Sequence, residues 1–169
     1  VDKLRDTSSS HQRCSVIEVM GRYCGDLALY ASIATGADIV ITRENPMTDE
    51  EVIECVKEQV AMGKHHVMVV VTEYTTDVNK LAKTITEHCG IEAKAEVLGR
   101  IQRGGTPTAL DRYLATTMGV YAVDTLLDGK TGVCIGIINN ELKATPIEEA
   151  LKMTNKSNKE LKNVLVRTR

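Results

Sequence analysis

The sequence predicts an α/β fold, a three-layer α/β/α sandwich in which a mostly parallel sheet lies between two layers of helices. Two observations lead to this prediction. Short apolar segments rich in β-branched residues alternate along the chain with segments of helical periodicity. Residues 67–71 are also apolar without interruption, and a strand of this kind is usually covered on both faces. We therefore expect functional residues at the carboxyl ends of the strands, where such folds place them.

The strands are expected at regular intervals, and the alternating pattern of 92–98 suits an edge position. In chain order they are 14–20, 38–42, 66–72, 92–98 and 133–138, followed by a turn at Asn139-Asn140. The helices between them are expected over 27–35, from Thr48 to Val60, from Asp77 to Gly90, from Thr106 to about Asp128, and briefly from Thr145.

Helix boundaries are predicted from capping residues. The expected start signals are Asp26, Thr48 with Glu51, Asp77, Thr106 with Pro107, and Thr145 with Pro146 and Glu148, and the expected stops are Gly36, Gly90 and Gly129. The inward-facing side chains are expected to include Leu27, Ala28, Ala31 and Ala34 of the first helix and Leu110, Leu114, Met118, Tyr121 and Leu126 of the long one. Residues 152–169 carry six basic residues and one acidic residue and are expected to form a basic carboxyl-terminal helix or tail.

The composition limits the classes of protein to which the chain can belong. The 169 residues suit a single domain, and we find no internal boundary within 1–169. The chain lacks Trp and Phe and has a net charge of −2, which argues against nucleic acid as a partner, and no apolar run is long enough to span a membrane. Five cysteines without CxxC spacing predict reduced, mostly buried thiols in a cytoplasmic protein, and the histidines show no metal-binding pattern.

Polar residues with binding chemistry follow three of the predicted strands. Met20-Gly21-Arg22 follows the first, Glu73 the third, and the Gly-rich segment 99–105 the fourth. Glycine lets backbone N–H groups approach an anion and arginine supplies a bidentate donor, so the pattern favours a phosphate ligand. A turn with a solvated Arg22 and a surface carboxylate at Glu73 remain the alternatives.

Five segments make the chain resemble a known family. They are 8–13 (SSSHQR), 19–28 (VMGRYCGDLA), 97–107 (VLGRIQRGGTP), 111–115 (DRYLA) and 134–137 (CIGI), and they closely resemble bacterial ATP-dependent 6-phosphofructokinase. The resemblance covers essentially the whole chain but only the carboxyl-terminal, sugar-phosphate-binding half of that enzyme. It implies a cytoplasmic, allosteric, homotetrameric enzyme of glycolysis that transfers the γ-phosphoryl group of ATP to fructose 6-phosphate with Mg²⁺.

The resemblance also implies what this chain lacks. The family's ATP site, acidic magnesium ligand and catalytic base lie upstream of the segment matched here, so we expect Val1 to be a cut or processed end, the amino-terminal half to be missing, and the isolated chain to be inactive. Neither ATP nor Mg²⁺ is expected to bind to this chain alone. The alternatives are a non-catalytic sugar-phosphate-binding or regulatory module and a purely structural subunit, and a pyrophosphate-dependent relative also remains open.

The resemblance assigns roles to individual residues. Met20, Gly21 and Arg22 would line the sugar-phosphate site, with Arg22 also close to the transferring phosphoryl group as the catalytic residue. Glu73 would accept hydrogen bonds from sugar hydroxyls, and Arg103 would bind the 6-phosphate or stabilise transition-state charge.

The remaining implied residues are either donated across a subunit interface or belong to an effector site. Arg13 and Lys94 would reach the site of a neighbouring subunit. Lys94 stands where the family usually has Arg, and Arg100 where it usually has His. The effector site would comprise Arg5, the Gly36 carbonyl, Asp38 and Lys64, while Met62 and His65 replace residues that are often basic there.

Overall fold

The computed structural model describes residues 1–153 together with Leu161 and Val164. The chain divides into two compact units. Unit 1 comprises Val1–Arg103 with Ser157–Arg169, and unit 2 comprises Gly104–Lys156. The basic helix or tail expected over 152–169 lies mostly outside the described residues, among which Leu161 and Val164 are helical.

Within residues 1–103, unit 1 contains four strands, four helices and a 3₁₀ turn. In chain order they are α1 (Asp2–His11), β1 (Cys14–Val19), α2 (Asp26–Thr35), β2 (Ile39–Ile41), α3 (Asp49–Ala61), β3 (Val67–Thr72), α4 (Val78–Cys89), β4 (Ala93–Val97) and the 3₁₀ turn Gly99–Gln102. The strands form one parallel sheet in the order β2-β3-β1-β4, so β4 is an edge strand as the alternation predicted.

Both faces of this sheet are covered by helices. On one face, alternate strand residues such as Val16 and Val69 pack with α3 and α4. On the other, Ile17 and Val70 pack with α2 and with Leu4 of α1. All six residues of β3 are buried. The predicted α/β sandwich with a parallel sheet is therefore confirmed.

The described part of unit 2 consists of a long helix, a hairpin and a single helical turn. Its elements are α5 (Ala109–Leu127), β5 (Val133–Ile138), β6 (Glu141–Pro146) and the single turn α6 (Ile147–Ala150). Strands β5 and β6 pair antiparallel. Asn139 and Asn140 form the predicted turn, and both have positive φ, as a type I′ hairpin turn requires. Among the described residues of unit 2, Thr125 alone is buried.

Several helix boundaries differ from the sequence prediction. Helix α1 was not expected, because its apolar residues are too few to show a periodic face. Helix α2 has Gly25 rather than Asp26 as its N-cap, since a Cβ at Gly25 would lie 2.4 Å from that of Thr42 and only glycine fits there. Its buried residues are Ala28, Leu29 and Ser32, and both Leu27 and Ala34 are exposed, so their expected inward positions are wrong.

The boundaries in unit 2 need similar correction. Helix α5 begins two residues after the expected Thr106-Pro107 start, because Thr108 and Asp111 form a complete capping box. Leu110 and Leu126 are exposed, not inward. Strand β6 was missed, and Thr145 lies in it. The expected short helix is present as α6, with Pro146 rather than Thr145 as its N-cap. In the described residues no helix is both long and apolar enough to cross a membrane.

Candidate functional site

The candidate site lies at the carboxyl ends of β3, β1 and β4, which are neighbours in the sheet. Val19 is level with Thr72, and Glu18 with Val97. The parallel register therefore brings the segments that follow these strands to one edge. They are the Met20–Arg22 loop, Glu73 and the 3₁₀ turn with Arg100 and Arg103. The residues predicted for one subunit's own sugar site thus all belong to the same edge of unit 1.

The backbone of the Met20–Arg22 loop is closely constrained. The amide of Cys24 donates to the Gly21 carbonyl at 2.9 Å, and a Cβ at Gly21 would lie 2.3 Å from the Cys24 carbonyl oxygen. Arg22 has φ of 52°, a left-handed conformation that is unfavourable for a residue with a side chain. The sequence motif therefore needs glycine at 21, and it holds Arg22 in a conformation that other contacts must stabilise.

Two side chains from neighbouring segments supply those contacts. Oε1 of Glu73 accepts the amides of Gly21 at 3.1 Å and of Arg22 at 2.8 Å. Oε1 of Gln102 accepts the amide of Met20 at 2.9 Å. Glu73 was predicted as a ligand of sugar hydroxyls, whereas the described contacts are to backbone. Gln102 was missed by the sequence analysis, although it lies between the two arginines of the predicted phosphate loop.

The arginines at this edge form no ion pair with a carboxylate of any described residue. Among the described residues, no ion pair involves Arg22, Arg100 or Arg103, and all three side chains are exposed. The Arg22 guanidinium lies 5.5 Å from the centre of the Tyr23 ring, and that of Arg43 lies 4.7 Å from the same ring. Unpaired guanidinium groups beside ordered backbone favour an anionic ligand.

The carboxyl group of Glu18, which lies beside the site, has a raised pKa. Burial raises the pKa of Glu18 on β1, and the negative charges of Glu73 and Asp77 raise it further. This end of the sheet therefore carries the acidic side chains of Glu18 and Glu73 next to the exposed arginines.

Arg13 and Lys94 lie at the opposite end of the sheet. Arg13 Nε is 2.6 Å from Oε2 of Glu92, and Lys94 Nζ is 2.9 Å from Oε1 of the same residue. These two cations lower the pKa of Glu92. Arg13 precedes β1 and Arg22 follows it, so the six residues of β1 separate them by roughly 20 Å. The structure brings Arg13 and Lys94 together and keeps both away from the site of their own chain.

A cavity of about 480 Å³ in unit 1 collects all four residues of the expected effector site, Arg5, Gly36, Asp38 and Lys64. Lys64 Nζ is 2.5 Å from Oδ1 of Asp38, whose Oδ2 accepts the Met68 amide at 2.8 Å. Nε and Nη2 of Arg5 are buried and make no hydrogen bond to any described residue. The cavity therefore offers an unpaired guanidinium to an anion, while the charge of Lys64 is already paired. His65 also lines it, and Met62 is exposed.

The cysteines form no disulfide. Cys14 and Cys89 are buried, Cys55 is half-buried, and Cys24 and Cys134 are exposed, so the thiols are free as predicted but fewer are buried than expected. Burial raises the pKa of Cys14 to about 12. The described residues include no group of three or more His, Cys, Asp or Glu side chains placed to hold a metal ion.

Comparison with known proteins gives consistent results. The family model described as "Phosphofructokinase" matches residues 1–126. The ATP-dependent 6-phosphofructokinase of Tolumonas auensis is 49% identical over 165 residues, which are 97% of this chain and 52% of that protein. The enzyme of the same description from Teredinibacter turnerae is 51% identical over 152 residues, covering 90% of this chain and 48% of that protein. The chain thus spans about half the length of these curated relatives.

Solved structures agree with the fold. The phosphofructokinase of Saccharomyces cerevisiae superposes with a TM-score of 0.82 at 34% identity, covering 99% of this chain and 24% of the yeast chain. The T-state structure of the Pichia pastoris enzyme gives a TM-score of 0.80 at 28% identity, covering 98% of this chain and 20% of the other.

Proposed function

The chain belongs to the phosphofructokinase family, and from that membership we propose that it is the carboxyl-terminal portion of a 6-phosphofructokinase. The parent enzyme, acting in glycolysis in the cytoplasm, transfers the γ-phosphoryl group of ATP to the 1-hydroxyl of fructose 6-phosphate. This chain contributes the binding of the sugar phosphate. The observation that carries the proposal is the edge at which Glu73 orders the Met20–Arg22 loop beside unpaired arginines.

The arginines account for the choice of ligand. A sugar phosphate carries a dianion, and guanidinium groups bind phosphate through charge-assisted, often bidentate hydrogen bonds. Arg103 binds the 6-phosphate, Arg100 adds a second long cationic donor, and Arg22 stabilises charge on the transferring phosphoryl group. Phosphoryl transfer relies on positioning and on charge stabilisation, so these roles suffice for this part of the enzyme.

Arg13 and Lys94 complete the site of a neighbouring subunit. Their location at the far end of the sheet supports this, because they cannot reach the Met20–Arg22 loop of their own chain. A site shared across an interface also supports an oligomeric parent, for which we propose a homotetramer.

The nucleotide and its metal are assigned elsewhere in the parent. The described residues do not offer the carboxylates that Mg²⁺ prefers in one cluster. No Gly-rich phosphate loop with an adjacent acidic ligand occurs in the sequence, nor does the family's catalytic aspartate segment.

Activity tests this proposal at two levels. A coupled assay of the protein encoded by the full reading frame should show ATP- and fructose 6-phosphate-dependent turnover of about 1–100 s⁻¹, typical of kinases. The 169-residue chain alone should be inactive, because losing a general base typically costs about 10²–10⁴-fold and phosphoryl-donor binding is lost as well.

The controls separate the alternatives. If the full protein binds fructose 6-phosphate but never turns over, a regulatory sugar-phosphate module is the better description. Turnover by the isolated chain at a rate close to that of an ordinary kinase would contradict the assignment of base and nucleotide to the rest of the parent.

A further inference from the structure

Three consecutive amides, those of Met20, Gly21 and Arg22, donate to side-chain oxygens rather than to backbone. The oxygens come from Gln102, which follows β4, and from Glu73, which follows β3, so they approach the end of β1 from its two neighbours in the sheet. We propose that Glu73 and Gln102 are positioning residues, a two-sided clamp that fixes Arg22 relative to Arg100 and Arg103. The proposal rests on the function proposed above and assigns a second role to Glu73 and a first one to Gln102.

The loop requires such a clamp because its backbone is unfavourable by itself. A left-handed φ in a residue with a side chain is disfavoured, and it persists only when the surroundings over-determine it. Arg22 has this conformation, and its own amide is the closer of the two bonded to Glu73, at 2.8 Å. A carboxylate that accepts two amides forms charge-assisted bonds, which are stronger than bonds between neutral groups.

Glu73 can perform both roles at once. Both amides bind Oε1, and Oε2 makes no hydrogen bond to any described residue. Oε2 is therefore available to a sugar hydroxyl while Oε1 keeps the loop in place. Glu73 is itself held at its backbone, since its amide donates to the Val19 carbonyl at 2.9 Å.

Gln102 connects the loop to the other arginines. It lies in the 3₁₀ turn Gly99–Gln102, and the amide of Arg103 donates to the carbonyl of Arg100 at 2.9 Å within that turn. The bond from Met20 to Gln102 thus ties the segment that carries Arg22 to the segment that carries Arg100 and Arg103. Phosphoryl transfer is sensitive to this spacing, because a displacement of about 1 Å can cost roughly 10²-fold in rate.

The first experiment measures the clamp without reference to activity. In the intact parent protein, amide hydrogen exchange of Gly21 and Arg22 should accelerate about tenfold or more in Glu73→Ala and remain close to wild type in Glu73→Gln, whose amide oxygen still accepts. Thr86→Val is the matched control, since it removes a side-chain acceptor from the Ala93 amide, remote from the loop. Unchanged exchange at Gly21 and Arg22 in Glu73→Ala overturns the clamp, whatever the enzyme's activity.

The second experiment is a double-mutant cycle in the parent enzyme. Gln102→Ala should lower kcat/KM for fructose 6-phosphate about 10–100-fold in the wild-type background, and less than about threefold when Arg22 is already alanine. Thr86→Val should leave kcat/KM for fructose 6-phosphate unchanged in both backgrounds. An equal loss in the two backgrounds would show that Gln102 acts independently of Arg22 and would overturn its positioning role.

The two experiments separate the two claims. A parent protein without kinase activity but with the expected exchange pattern contradicts the proposed function and retains the clamp. If Glu73→Ala does not fold, as judged by circular dichroism, the exchange rate of the Met20 amide is measured in Gln102→Ala instead. Faster exchange supports the clamp, and unchanged exchange overturns it.

Discussion

At the scale of single residues, Glu18 shows how the site affects stability. Its pKa is raised mainly by burial, so the folded state holds the proton more tightly than the unfolded state does. For such an acid, stability decreases as the pH rises from about 4 through the folded-state pKa, and it stays lower above that value. Glu18→Gln should therefore raise the melting temperature at neutral pH and leave it nearly unchanged below about pH 4.

The control for this prediction is Glu96→Gln, which changes an exposed glutamate on the neighbouring strand β4. Thermal unfolding followed by circular dichroism at several pH values measures both variants. A stabilisation by Glu18→Gln that persists unchanged at acidic pH would contradict the titration argument.

Single residues also show which parts of the site the sequence alone could predict. The arginines and Glu73 were found because they follow strand patterns, and parallel strands share a carboxyl edge. Gln102 was missed because its contact joins positions 20 and 102, and no local pattern records such a pairing. The carboxylate of Glu92, shared by Arg13 and Lys94, was missed for the same reason.

At the scale of elements, the sequence predicted best where burial and capping agreed. Strand β3 and helix α4 have strong patterns, and both appear where expected. Helix α1 and strand β6 were missed because neither has a continuous apolar face, since α1 buries only Ser8 and β6 has no buried residue. Their formation depends on neighbouring elements rather than on local pattern.

The cavity that holds the four residues expected for an effector site is built by several elements and carries its own prediction. It is lined by residues of α1, by the end of α2 and by the segment between α3 and β3, and the uncharged Met62 lies in that last segment. With Lys64 paired to Asp38, we expect the parent enzyme to respond to the family's anionic effectors more weakly than is typical. One lost charge-assisted phosphate contact is worth about 1.5–3 kcal/mol, comparable to a typical coupling free energy of about 1–3 kcal/mol.

Met62→Lys should strengthen this response, because it adds a cation to the segment that lines the cavity of the unpaired Arg5. Met62→Leu is the matched control and should behave as the wild type. Titration of the parent enzyme with ADP and phosphoenolpyruvate, at subsaturating fructose 6-phosphate, measures the change. A strong, saturable effect of micromolar phosphoenolpyruvate on the wild type would show that other residues supply the missing charge.

At the scale of the whole molecule, the positions of the cations predict how subunits cooperate. Arg13 and Lys94 converge on Glu92 at one end of the sheet, whereas Arg22, Arg100 and Arg103 follow strands at the other. A sugar phosphate bound at the Met20–Arg22 loop can therefore meet Arg13 only if Arg13 comes from another subunit. In the parent enzyme, Arg13→Ser should raise the half-saturation for fructose 6-phosphate roughly 10–150-fold, the equivalent of about 1.5–3 kcal/mol, with ATP affinity nearly unchanged.

Subunit mixing gives the decisive measurement, because it asks which chain supplies Arg13. Arg13→Ser and Arg103→Ala each impair every site of a homo-oligomer. When the two variants exchange subunits, an interface between unlike subunits combines an intact Arg103 from one with an intact Arg13 from the other, and some activity returns. The sigmoidal dependence on fructose 6-phosphate should also flatten in Arg13→Ser, since a ligand held by two subunits couples their equilibria. Mixtures no more active than the separate variants would place Arg13 in the site of its own subunit and would overturn the assignment drawn from the length of β1.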